Sequence, residues 1–197
     1  DSACEEFVKL ARSLVKPGIP DLGEGSDSFF SGPPLKMFQK LTKPVSFTTT
    51  PAADGGIGSA AGLGGSALGV SDLFSGIGSA ASNVLNLTTY YQMKERAGLI
   101  GSTALNPILQ AIAKEHPALR LHLVGHSFGG RLVTATSAGV SAATILRAHS
   151  MSLLQAAFSH YGFARNWDQK NNDGFFRRVV DQKAIRGPIL ITHTTSD

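Results

Sequence analysis

Ser127 is the residue of this chain best suited to covalent chemistry, because it stands at the centre of Gly125-His126-Ser127-Phe128-Gly129. A serine hydroxyl is a poor nucleophile at neutral pH. It needs a base to take its proton, an acid to orient that base, and donors aimed at the oxyanion it generates. Glycine two residues before and two residues after the serine allows a turn so tight that a side chain at Gly125 or Gly129 is expected to collide with the neighbouring strand or helix. Such a turn lifts the Ser127 hydroxyl clear of the backbone and points the Phe128 amide at an incoming carbonyl oxygen. In a chain with 22 glycines the bare pentapeptide is weak evidence, so its surroundings decide.

Those surroundings are ordered. Asn106 to His116 is a charged helix that ends at Pro117. Leu121-His122-Leu123-Val124 has the length and apolar character of a buried strand. From Phe128 to about Ala143 a helix rich in small residues (Gly129, Gly130, Ala135, Ser137, Ala138) is expected to lie close against a sheet. Further on, Met151 to Phe158 reads as a strand, Phe175 to Ala184 as an excursion with a short helix, and Gly187 to His193 as the last strand. Strands alternating with helices predict an α/β fold, a mainly parallel sheet with helices on both faces.

The first part of the chain is less regular. Cys4 to Val15 is a helix by the recurrence of Phe7, Leu10, Ala11 and Leu14. Pro17, Gly18 and Pro20 end it, Leu35 to Leu41 is a short helix, and Val45 to Thr49 a strand. From about 51 to 87 the chain is built mostly of Gly, Ala, Ser and Leu, with a single charge, Asp72, between Gly55 and Leu87. Two readings stay open for this insertion: a flexible low-complexity spacer, or a mobile lid over Ser127 whose Leu63, Leu68, Val70, Leu73, Phe74 and Ile77 form an apolar face, with weak membrane-surface contact through 55–87. Leu73 to Met93 is long enough to span a bilayer but too rich in Gly, Ser, Asn and Thr, so no transmembrane segment is expected. Thr89 to Gly98 resumes a regular pattern.

Composition bounds the function. A chain of 197 residues with 42% hydrophobic residues supports one globular domain. Its net charge of +4 (18 basic minus 14 acidic) comes without a dense basic run, which argues against nucleic acid. Cys4 is the sole cysteine, so no internal disulfide forms. The six histidines lack metal-ligand spacing such as His-Glu-x-x-His, and neither metal nor cofactor is expected. Compartment is left open, with the cytoplasm favoured and secretion retained, since a chain opening at Asp1 leaves room for a removed leader.

Met93-Lys94-Glu95-Arg96-Ala97-Gly98, the stretch from Leu121 through Ser127 to Arg131, and Ile191-Thr192-His193-Thr194-Thr195-Ser196-Asp197 together carry a family likeness. Across most of Thr89 to Asp197 the chain resembles serine hydrolases of the α/β-hydrolase superfamily, in particular bacterial α/β-fold hydrolases of unassigned substrate. The resemblance implies Ser127 as nucleophile, the Phe128 amide in the oxyanion hole, and Gly125, His126 and Gly129 as the elbow around the serine. Asp197, in the turn after the second strand beyond the elbow, is implied as the acid; Asp168 is its rival, farther from its own strand. In the superfamily the catalytic histidine follows the acid, and none follows Asp197 here. The expectation is therefore a single partial domain over 1–197, incomplete at both ends, with the base beyond Asp197 and the isolated chain nearly inactive.

The remaining histidines divide. His160 and His193 lie near strand C-terminal ends, where they line the pocket and stand as in-chain candidates for the base. His122 reads as a packed or bonded core histidine, and His116 as a residue capping a helix C-terminus. The function expected is hydrolysis of a small-molecule or lipid carboxylic ester or related acyl bond. The alternative is a non-catalytic fold of the same type that binds a partner or membrane through its Gly-rich segment.

Overall fold

A computed structural model of the chain describes residues 2–15, 30, 32–41 and 70–193. The expected strand at Val45 to Thr49, the part of the insertion before Val70, and Asp197 with its three preceding residues lie outside the described residues.

Two helices open the chain, α1 (Ser2–Leu14) and α2 (Pro34–Leu41). The buried stripe of α1 is Val8 and Ala11, continued by Val15, with Cys4 and Phe7 partly covered. Leu10 and Leu14, expected on that stripe, are instead 60% and 54% exposed. The spacing i, i+3, i+4 is satisfied by two overlapping stripes in this helix. Its neighbours chose the one with smaller side chains, which permits closer approach.

Those neighbours include a long helix, α3 (Val70–Ile100). Ala80 and Val84 are fully buried against α1 and α2, joined by Leu87 and Tyr91 one and two turns on. Residues 70–87, the end of the Gly/Ala/Ser-rich insertion, are thus helical, and the helix expected from Thr89 begins earlier, at Val70. Alanine is the best helix former, and a small residue at each contact lets helices pack closely without a large apolar payload. Asn83 Nδ2 donates to the Leu41 carbonyl at 2.8 Å and ties α3 to the end of α2.

Beyond Ile100 the helical path widens into a π turn (Gly101–Leu105) and continues as α4 (Asn106–Glu115). A Cβ at Gly101 would run into the Leu132 carbonyl oxygen, so this turn brings the backbone against the following helix. Asn106 locks the junction: its buried Nδ2 donates to the carbonyls of Thr136 at 2.6 Å and Thr144 at 2.8 Å.

Three parallel strands, β1 (His122–His126), β2 (Ser150–Leu154) and β3 (Ile189–Thr192), form the sheet in that order. Helix α5 (Phe128–Ala138) follows β1, and the short α6 (Arg177–Asp181) precedes β3. Leu123, Met151 and Leu153 point to one face, where Ala135, Ala138, Phe176 and Val179 complete the core. Helices plus a small parallel sheet make this a mixed α/β architecture.

Coverage of both faces is not what the described residues show. Val124, Ser152 and Leu190 align across the strands on the opposite face, with Val124 63% and Leu190 56% exposed. His122 lies on this open face rather than in the core, its Nδ1 2.7 Å from Ser150 Oγ. The elbow helix also ends at Ala138 rather than near Ala143, since Gly139 takes a positive φ of 59° and a 3-10 turn (Ala142–Thr144) follows. No helix among the described residues is long and apolar enough to cross a membrane.

Candidate active site

Ser127 occupies the single residue between β1 and α5, with φ 51° and ψ −120°. A non-glycine residue in this region costs about 1–3 kcal/mol and persists only where its surroundings enforce it. The enforcement is visible. Ser127 N–H donates to the Leu154 carbonyl at 3.0 Å, and the Ser127 carbonyl accepts from Gly130 at 3.0 Å and Ala157 at 2.9 Å. Both backbone groups of the serine are thus bound to β2, the loop after it and the first turn of α5, leaving the side chain half-buried at the strand ends.

The glycines divide the steric work differently from expectation. A Cβ at Gly125 would run into the Gly129 carbonyl, as anticipated. At Gly129 a Cβ would meet nothing within 4 Å. The second close approach is one residue later: a Cβ at Gly130 would stand 2.6 Å from the Ala156 Cβ. The helix grazes the loop after β2 at Gly130 because that position faces the sheet, while Gly129 faces away. The Gly-Gly pair was the available signal, and spacing alone did not say which member carried the contact.

The N–H groups of Phe128 and Gly129 open α5 and take no hydrogen-bond partner among the described residues. First-turn amides of a helix have no partner within the helix, and the dipole adds a partial positive charge there. The Phe128 ring meets Tyr90 of α3 at 5.3 Å, a neighbour that sequence spacing gave no means to find. Behind the turn, Arg131 is buried with its guanidinium over the rings of Phe175 and Phe176, at 5.2 and 5.5 Å. Gly98 lies against it, a Cβ there standing 3.3 Å from Arg131 Nε, so the end of α3 meets the helix that follows Ser127.

Because the strands are parallel, their C-terminal ends gather on one edge. His126, Leu154 and Thr192 are in register there, and His193 follows Thr192 directly. His193 is thus two strand spacings from the Ser127 strand, roughly 10 Å. His126 is exposed beside the serine, and His160, in the loop after β2, packs its ring 3.9 Å from Tyr161. No side chain among the described residues hydrogen-bonds the Ser127 hydroxyl. His116 does cap α4, its N–H donating to the Ile112 carbonyl at 2.9 Å.

The rival acid is engaged elsewhere. Asp168 Oδ1 accepts from the Lys170 N–H at 3.0 Å and Oδ2 accepts from Asn172 Nδ2 at 2.6 Å. These donors, the Asn172 side chain foremost, hold its carboxyl below the usual carboxylate range. Asp168 organises its own loop and makes no contact with a histidine among the described residues. No group of three or more His, Cys, Asp or Glu among the described residues is placed to hold a metal ion. No family model, curated protein or solved structure matches the chain.

Proposed function

We propose that this chain carries the nucleophile of a serine hydrolase of the α/β-hydrolase type, acting on a carboxylic ester or related acyl bond. The observation that carries the proposal is the backbone of Ser127: a positive φ at a strand-to-helix turn, immediately before two helix amides that have no hydrogen-bond partner among the described residues. Strain at a serine is hard to rationalise in a merely structural turn, where glycine would serve without cost. It is what presentation of a hydroxyl to a carbonyl requires.

In this scheme Ser127 Oγ attacks the acyl carbon while a histidine takes its proton. The developing oxyanion lies against the Phe128 N–H, and the same histidine then protonates the leaving alkoxide. Water repeats the sequence to release the acid and restore Ser127. Asp197 is the proposed acid that orients this histidine.

The test is labelling with a fluorophosphonate, which phosphonylates only an activated serine. The full-length protein is expected to be labelled at Ser127 and to hydrolyse short p-nitrophenyl esters, and Ser127→Ala abolishes both. Absence of labelling in the full-length protein, with its fold verified, overturns the assignment and leaves a binding role for the same chain.

A further inference from the structure

The sheet has a second end, and basic chemistry gathers there. Opposite the Ser127 edge, the segments entering β1, β2 and β3 join the last turns of α4 around a cleft of about 310 Å³. Lys114, Arg147, His149 and Arg186 line it, over an apolar floor that includes Leu121, Ile145 and Leu146. Among the described residues no carboxylate belongs to the lining.

Among the described residues that charge has no carboxylate partner. Arg165 and Arg177 elsewhere on the surface share Asp181, at 2.6 and 2.8 Å. Among the described residues Lys114, Arg147 and Arg186 have no such partner. Arg147 is tethered at one corner, its Nη1 donating to the Lys183 carbonyl at 3.2 Å, which leaves the rest of its fork of donors available. His149 Nδ1 accepts from the Leu121 N–H at 3.2 Å, which puts the proton of the neutral ring on Nε2. Partial desolvation, then the charges of Arg186 and Arg120 and the neighbouring His122, hold its pKa below the ordinary imidazole value. Cations brought together without an anion repel one another, and a bound dianion removes that cost.

We infer that this cleft binds a small phosphomonoester, its dianionic head between Arg147, Arg186 and Lys114 and an apolar ring on the floor formed by Leu121, Ile145 and Leu146. Two negative charges match a cluster of three cations better than a single carboxylate does. The volume lies at the small end of ligand pockets and suits a compact body. The site is at the opposite sheet edge from Ser127 and stands whether or not the protein is a hydrolase.

The probe is 1-naphthyl phosphate, titrated calorimetrically into the protein, with inorganic phosphate and 1-naphthol as head and body alone. The phosphate ester is expected to bind at least an order of magnitude more tightly than either part. Arg186→Ala with Lys114→Ala, both at exposed positions, should weaken it on the order of tenfold or more, while Ser127→Ala leaves it unchanged. The His149 ring resonances report the site directly: a bound dianion stabilises the imidazolium, so the His149 pKa rises on saturation. Equal affinity for inorganic phosphate and the ester overturns the inference, as does undiminished binding by the folded double variant or an unmoved His149 titration.

Discussion

Tyr90, on the long helix α3, holds its ring 5.3 Å from that of Phe128, the residue whose amide follows Ser127. The contact joins α3 to the turn that carries Ser127. Tyr91, next along the helix, faces the α1–α2 cluster while its ring meets Tyr90 edge-on at 5.6 Å. An aromatic pair contributes about 0.5–1.5 kcal/mol beyond its buried area, and here it also steadies the start of α5. Tyr90→Ala should lower kcat several-fold with little change in KM, and Tyr90→Phe should restore it. A normal kcat for the alanine variant would show that Phe128 is held without Tyr90.

Strain at Ser127 has a measurable sign. With φ at 51°, Ser127→Gly relieves a conformation that Ser127→Ala retains. Both variants lack the hydroxyl and should be inactive. The glycine variant should be more stable than the alanine variant by about 1 kcal/mol, after the extra unfolded-state entropy of glycine is subtracted. Chemical denaturation midpoints of the two proteins check this.

The three elbow glycines should respond unequally. Gly129→Ala meets open space and should be tolerated. Gly125→Ala and Gly130→Ala press a methyl into the Gly129 carbonyl and the Ala156 side chain, and overpacking of this kind costs about 1–3 kcal/mol. Thermal unfolding of the three single variants decides it, and equal losses at all three would contradict the geometry.

Asn106 is 2% exposed and donates to two carbonyls while its Oδ1 accepts from Gln110 at 2.8 Å. Asn106→Leu leaves those carbonyls without that donor and should cost about 2–3 kcal/mol. Urea unfolding is the measurement, with an unchanged m-value expected if only the native junction is affected.

Asp181 carries a pH signature. Arg177, then Arg165, hold its carboxyl below the ordinary value of 3.8. A depressed folded-state pKa contributes stability that is present above the unfolded value and is lost as pH falls toward the folded one. Asp181→Asn should therefore flatten the acid limb of the stability profile below about pH 4. The effect is small, because the pair is solvent-exposed and screened. A profile unchanged through that range would remove the ion pairs from the account.

Much of the Ser127 turn was legible in the chain. An apolar run of strand length, a serine with glycine two residues before and after it, and a following helix specify β1, the turn and α5 through sterics local to a few residues. The same holds for α2 and α4, whose limits at Leu41 and Glu115 are within one residue of those read from pattern and proline. Tertiary contact decided the rest. Whether α1 buries Leu10 and Leu14 or Val8, Ala11 and Val15 depends on the surface it meets, and the small stripe of Ala80 and Val84 selected the second. In a segment composed like a linker, the helix packs Ala80 and Val84 against α1 and α2, a contact that no local pattern encodes. Gly130 rather than Gly129 takes the close contact because the loop after β2 passes on that side. Tyr90 reaches Phe128 across a long separation in the chain for the same reason: spacing along a sequence fixes which residues share a face, and only the neighbouring element determines what that face touches.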